Sequence, residues 1–115
     1  MSDCLFCKIV AGELGATKVF EDDDYLAFED IHPQAPVHYL VIPKAHTDRL
    51  DTLFTEGGAD ALGNLTAAAI KTAQANDLDD YRLGVNVGAP AGQVVFHTHL
   101  HLLGGWDGEK PGKMA

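Results

Sequence analysis

Three histidines occupy alternate positions of one short run, Phe96-His97-Thr98-His99-Leu100-His101-Leu102-Leu103, half of the six in the chain. In an extended strand successive side chains alternate faces, so His97, His99 and His101 would share one side. Thr98, Leu100 and Leu102 would face the other way and pack on a neighbouring layer. Same-face neighbours then lie about 6.8 Å apart, and two imidazoles at that spacing can converge on one small ligand. Two chemistries compete. A three-histidine zinc centre needs deprotonated ring nitrogens and an open coordination position. A phosphate site needs one imidazole as nucleophile and others as hydrogen-bond donors. The spacing alone does not decide between them.

What precedes the run bears on the choice. Asn86 is followed by the loop Gly88-Ala89-Pro90-Ala91-Gly92, whose backbone N–H groups can approach an anion closely. On its own such a turn is more often a plain hairpin connection; just before three aligned histidines it is a candidate phosphate cradle. A second constellation stands at Cys4-x-x-Cys7, too close in sequence to staple a fold. Two thiolates at this spacing are half of a structural zinc site and require two further ligands. The alternative is a pair of ordinary thiols.

These groups have to be held by a small scaffold. Val19–Glu21 and Tyr25–Phe28 flank the acidic turn Asp22-Asp23-Asp24 and are predicted as a hairpin. Val37–Ile42, bounded by Pro36 and Pro43, is predicted as a strand. A short helical signal runs from Thr47 to Phe54. The strongest helix is predicted from about Ala59 to Ala75, where Ala61, Leu62, Leu65, Ala69 and Ala73 form one apolar stripe. Gly57-Gly58 interrupt the chain before it and Asn76-Asp77 stop it. Strands Tyr81–Val87 and Gln93–Leu103 follow, the second ended by Gly104-Gly105. Short connections and one long helix between two groups of strands predict an α+β fold, an antiparallel sheet with the helix on one face.

At 115 residues the chain is expected to form one domain over residues 1–107, with a Gly/Lys/Pro-rich tail at 108–115. A net charge of -9 argues against broad binding to nucleic acid or an anionic membrane, since both require a basic surface. A single nucleotide asks only for a local pocket. The opening MSDCLFCKIV has neither a basic segment nor a long apolar one, and no apolar run approaches the roughly 18 residues of a membrane span. The expected location is cytoplasmic.

The run HTHLHLL resembles the H-x-H-x-H-x-x signature of the histidine triad (HIT) family. The stretches FEDIHPQAPVHYLVIPKAH, LGVNVG and AGQVVFHTHLHLLGG are similar to its Hint branch of nucleotide-binding proteins, which act as purine nucleoside phosphoramidases. The resemblance implies a HIT-like antiparallel meander sheet with one long and one short helix. It also implies a homodimer in which two subunits form a continuous sheet. The implied reaction is cleavage of the P–N bond of a purine nucleoside phosphoramidate through a covalent nucleotidyl-histidine, with no cofactor needed for catalysis.

By the same resemblance His99 is the nucleophile, His101 donates to a phosphoryl oxygen, and His38 belongs to their hydrogen-bond network. Asn86 and the backbone around Gly92, Gln93 and Val94 would hold the phosphate. Asp30 would accept the ribose hydroxyls, and Ile31, Phe28, Leu5 and Phe6 would wall the base. Without the family, Asp30 reads simply as a turn initiator. Zinc-bearing members of the wider family, including galactose-1-phosphate uridylyltransferases, resemble this chain in a C-x-x-C pair, a mid-chain histidine and the first triad histidine. That implies a structural zinc on Cys4, Cys7, His46 and His97. Two positions depart from the pattern: Val94, where relatives often carry serine, and Thr98, where an apolar residue is usual. Trp106 receives no role. Two other classes of function remain open, a non-catalytic nucleotide-binding regulatory module and a zinc-dependent hydrolase using all three triad histidines as ligands.

Overall fold

The computed structural model describes residues 3–107 and 111–112. The tail expected over 108–115 therefore lies outside the described residues except for Pro111 and Gly112. The chain runs α1 (Leu5–Val10), β1 (Lys18–Glu21), β2 (Tyr25–Glu29), β3 (Val37–Pro43), α2 (Leu50–Ala75), β4 (Tyr81–Gly84) and β5 (Leu100–Gly104). The five strands form one sheet in the order β1-β2-β3-β5-β4, antiparallel at every junction. The meander holds through β1, β2 and β3. The chain then crosses along α2 to the outer strand β4 and returns through β5, which inserts between β3 and β4.

Strand alternation sorts the core onto two faces. Ala27, Val41, Leu100 and Leu102 pack with Leu65, Ala68, Ala69 and Ala73 of α2. The opposite set, Leu26, Phe28, Leu40 and Ile42, packs with Phe6 and Ile9 of α1. The small residues of the α2 stripe allow the helix to lie close on the sheet, and Leu65 is its one large buried side chain. The helical signal at 47–54 is borne out only from Leu50, as the first turn of α2, since Arg49 is still extended. Gly57-Gly58 interrupt this element as expected: two helical stretches meet across a kink at Gly58, whose φ 68° and ψ -165° are a conformation that glycine adopts readily because it lacks a Cβ.

Helix α1 was not legible from periodicity, because six residues are too few to display it. Its N-cap is Cys4, whose sulfur accepts the backbone N–H of Cys7 at 3.3 Å. Two predicted strands are shorter than expected: 81–87 contracts to Tyr81–Gly84, and 93–103 to Leu100–Gly104. The second change matters for the site. In the β3–β5 register Val41 faces Leu100, so two residues further on Thr98 would face Pro43. Proline has no N–H to offer the ladder, and pairing stops there. His101 is on the strand, whereas His97 and His99 lie in the bent segment before it.

Candidate functional site

His101 on β5 and His38 on β3 project from the α1 face of the sheet. Leu40 pairs with His101, so His38 is the diagonal neighbour on the same face. Their rings meet, with His38 Nε2 2.8 Å from His101 Nδ1. The protons on this pair follow from its outer partner. Gln34 donates its backbone N–H to His38 Nδ1 at 3.0 Å, so that nitrogen is an acceptor and His38 carries its proton on Nε2. His38 Nε2–H then donates to His101 Nδ1, and His101 must carry its own proton on Nε2. Asp30 lies alongside, one carboxylate oxygen 3.5 Å from His38 Nε2 and the other accepting the His32 N–H at 2.8 Å.

His99 has the opposite arrangement. Its Nδ1 lies 2.7 Å from the carbonyl oxygen of His97, and a carbonyl only accepts, so Nδ1 carries the proton. The nitrogen left to the cavity, Nε2, therefore has a free lone pair. The His99 and His101 ring centroids are 5.1 Å apart, and Phe6 packs edge-on against His99 at 5.2 Å. Two adjacent imidazoles thus present different functions, a lone pair on His99 and an N–H on His101.

Burial keeps these rings neutral. It lowers the pKa of His99, with the His97 carbonyl and Asp30 pulling partly the other way. Burial also lowers that of His38, opposed by Asp30. His101 is pushed down to about 4, by burial first and then by His99 and His38, against the opposing pull of Asp30. Protonating His101 would place a hydrogen on Nδ1 against His38 Nε2–H and break the relay. The unfolded chain takes up this proton near the ordinary value of 6.5, so folding stability is present above that pH and is lost as pH falls toward 4. The melting temperature is expected to fall across this window. It should fall less in His101→Ala, which calorimetry at a series of pH values would measure.

The rings open into a cavity of about 620 Å3. Its apolar walls include Leu5, Phe6, Ile9, Phe28, Leu40 and Val95, and its polar lining includes Asp30, His38, Asn86, His99 and His101. Ile31 and Val94 stand at this cavity with 83% and 86% of their surface exposed. Asn86 donates to the Ala91 carbonyl at 2.8 Å and so braces the glycine loop. Gly92 closes that loop at φ 102°, and a Cβ there would come within 3.2 Å of the Asn86 amide nitrogen. Gln93 does not line the cavity. Its buried side chain accepts from Gly88 N–H and donates to the carbonyls of Asp48 and Val95. The backbone N–H groups of Gly92 and Gln93 bond to Ala89 and Gly88 inside the loop, so of the three cradle positions only that of Val94 has no partner of this kind in the loop.

His97 belongs to a different cluster. It is fully buried, and its Nε2–H donates to the Pro43 carbonyl at 2.7 Å, which leaves Nδ1 unprotonated. That nitrogen lies 3.4 Å from Cys4 Sγ, 3.5 Å from Cys7 Sγ and 3.2 Å from His46 Nδ1, and Cys7 Sγ lies 3.3 Å from His46 Nδ1. All four donor atoms are within 4.8 Å of one another. Bond lengths of about 2.05 Å for Zn–N and about 2.3 Å for Zn–S make tetrahedron edges of about 3.3 Å between nitrogens and about 3.6 Å between nitrogen and sulfur. The observed separations are close to these edges, so the residues fit a tetrahedral ion of the zinc type. Asp30, His38 and His101 are also gathered within 4.8 Å, but the proton on His38 Nε2 removes a donor from that set. The three triad rings are not gathered on one point, since His97 faces Pro43 and the cysteines while His99 and His101 face the cavity.

His38, Asn86, His99, His101 and Asp30 stand at one cavity and Cys4, Cys7, His46 and His97 at one cluster, while the groups that orient these rings were not expected from the sequence. Gln34 acts through its backbone N–H, which every residue but proline carries, and Pro43 and His97 act through their carbonyls, which every residue carries. Ile9, Leu14, Ala16, Leu40 and Val95 are further cavity walls that could only be found once α1 and the following turn were placed.

Comparison with known proteins agrees with this geometry. The family model of the HIT domain matches residues 11–108. A HIT family hydrolase from Clostridium thermocellum is 42% identical in sequence, with a TM-score of 0.86 over 96% of this chain and 97% of that one. A HIT family hydrolase from Legionella pneumophila is 49% identical, with a TM-score of 0.83 over 95% and 98%. A 14 kDa zinc-binding protein from Brassica juncea is 45% identical over 106 residues, covering 90% of this chain and 93% of that protein. With a domain match over most of its length and relatives well above 40% identity, the chain belongs to the HIT domain family.

Proposed function

We propose that the protein is a nucleotide hydrolase that cleaves the P–N bond of purine nucleoside phosphoramidates, with His99 as nucleophile. The observation that supports this reading is the opposite hydrogen bonding of the two neighbouring rings, His99 with Nδ1–H on the His97 carbonyl and His101 with Nδ1 on His38. The His99 Nε2 lone pair attacks the α-phosphorus, a P–N bond to the ring forms, and the bond to the leaving amine breaks as that amine takes a proton from solvent. The ring becomes cationic, and its Nδ1–H bond to the carbonyl stabilises that charge. Water then attacks phosphorus, the nucleoside monophosphate departs, and the water proton goes to solvent. His101 Nε2–H and the backbone at Val94 donate to phosphoryl oxygens as negative charge develops. Asp30 is positioned to accept ribose hydroxyls, and the Leu5, Phe6 and Phe28 walls suit a flat base.

In this reading Cys4, Cys7, His46 and His97 hold zinc, which supplies a structural cross-link and takes no part in the reaction. The subunits pair as a homodimer, consistent with the open edge that β4 leaves at one side of the sheet.

Adenosine 5′-phosphoramidate tests the reading: AMP should appear with wild-type protein and its rate should fall about a hundredfold in His101→Ala, which removes one donor. Tight AMP binding without turnover would favour a regulatory binding module instead. Val94 bears on the leaving group. Being 86% exposed at the cavity, it can be changed without disturbing the core. Val94→Ser adds a hydroxyl beside the phosphate and is expected to raise kcat/KM about tenfold, the value of one hydrogen bond. An unchanged kcat/KM would exclude that contact.

A further inference from the structure

The segment that carries the nucleophile lies outside the sheet. β5 begins at Leu100, so no ladder hydrogen bonds fix Thr98 or His99, and the kinked approach from Val95 to His97 has no strand partner. Something else must set the position of His99, because the reaction assigned to it above depends on where its ring stands.

Among the described residues, Thr47 meets this segment through several hydrogen bonds at one point. The Thr98 N–H donates to the Thr47 carbonyl at 2.8 Å. The Thr98 hydroxyl donates to the same carbonyl at 3.2 Å. Its oxygen lies 2.7 Å from the Thr47 hydroxyl, and since Thr98 has already committed its hydrogen, Thr47 is the donor in that contact. Both side chains are buried, at 7% and 1% exposure, so no water competes for these bonds. Thr47 follows His46 directly, and Thr98 stands between His97 and His99. One pair of hydroxyls therefore ties the residue after the candidate metal ligand His46 to the residue between a second candidate ligand, His97, and the proposed nucleophile His99.

We propose that Thr47 and Thr98 form a positioning clamp that sets the His97–His99 backbone, and through the His97 carbonyl fixes the tautomer and placement of the His99 ring. The clamp replaces the ladder that Pro43 cannot continue. An apolar pair at these positions would fill the same space but would leave only the single backbone bond, free to pivot. The hydroxyls add two further bonds in different directions and remove that freedom.

The role in turnover rests on the phosphoramidase reading, so the test has one readout that depends on it and one that does not. Thr98→Val keeps the shape of the side chain and removes the hydroxyl, while Thr98→Ser keeps the hydroxyl and removes the methyl. With adenosine 5′-phosphoramidate, Thr98→Val and Thr47→Val are each expected to lower kcat about tenfold with KM within twofold, as a displaced reacting group does. Thr98→Ser should keep at least about half of the wild-type kcat. Nitrogen-15 NMR of the imidazoles should show His99 as a single Nδ1–H tautomer in wild type and Thr98→Ser, and as a mixture in Thr98→Val. Melting curves establish that each variant is folded. A folded Thr98→Val with wild-type kcat and an unchanged His99 spectrum would overturn the clamp, as would equal losses in Thr98→Val and Thr98→Ser, which would point to packing by the methyl group. If the wild type fails to turn over the phosphoramidate while the tautomer change still appears, the functional reading falls and the clamp stands.

Discussion

Replacing His99 with alanine is expected to lower phosphoramidate turnover by at least about a thousandfold while AMP binds within a few-fold of its wild-type affinity. The two effects separate because the ring does separate things from the rest of the cavity. In the proposed reading base and ribose are held by the α1 and β2 walls, which pack on one another, and by Asp30, which is braced by the His32 N–H; of these only Phe6 touches the His99 ring. The reaction, in contrast, finds no second lone pair on His38 or on the other two triad rings. The Nδ1 of His101 accepts from His38, the Nδ1 of His38 accepts from Gln34, and the lone pair of His97 points into the cysteine cluster. His101→Ala should be the milder variant, since it removes a donor and leaves the nucleophile. Steady-state kinetics and calorimetric AMP titrations measure both quantities. An His99→Ala protein that keeps a tenth of wild-type kcat would contradict the assignment.

The second large effect concerns the metal. Cys7→Ser, or removal of bound metal by a chelator, is expected to lower the melting temperature by about 10 °C or more, since a loss of a few kcal/mol corresponds to several degrees for each one in a domain of this size. AMP binding should also weaken, by about tenfold, the equivalent of about 1.4 kcal/mol. The reason lies in α1. Six residues cannot hold a helix in water by themselves, so this one depends on its anchors. Phe6 and Ile9 supply one anchor against β2 and β3, and Cys4 and Cys7 supply the other through His46 and His97. The same helix carries Leu5, Phe6 and Ile9 into the cavity wall, and Phe6 stacks edge-on against both His97 and His99. Freed of its metal anchor, the helix should loosen and take that wall with it. Metal analysis under reducing, chelator-free conditions should find about one zinc per chain, for the one set of four donors; metal-free protein of unchanged stability would exclude the structural role.

Much of this was legible in the residues. The α2 stripe, the β1–β2 hairpin and strand β3 follow from apolar periodicity and from Pro36 and Pro43. The constellation of His38, His99, His101, Asn86 and Asp30 around one cavity was expected from the family resemblance, as was the grouping of Cys4, Cys7, His46 and His97. The limits also have physical causes. Alternation alone put His97, His99 and His101 on one face of a strand, but the strand begins only at Leu100, because its neighbour offers Pro43 where a donor is needed. The division of labour that the spacing could not decide depends on hydrogen bonds to the carbonyls of Pro43 and His97 and to the N–H of Gln34. Backbone groups leave no trace in residue identity. The Gln93 side chain, to which the resemblance gave no role beside its backbone, ties Gly88, Asp48 and Val95 together. At Thr98, where an apolar residue is usual, the hydroxyl meets Thr47 across the buried side of the site.

In the proposed reaction His99 bonds covalently to the nucleotide. Rapid mixing with adenosine 5′-phosphoramidate, acid-free quenching and intact-protein mass spectrometry measure this directly. The account predicts a transient gain of one adenylyl group, located on the peptide that contains His99 and absent from His99→Ala. Full-rate production of AMP by wild type with no adduct at any time point, together with unimpaired turnover in His99→Ala, would contradict it.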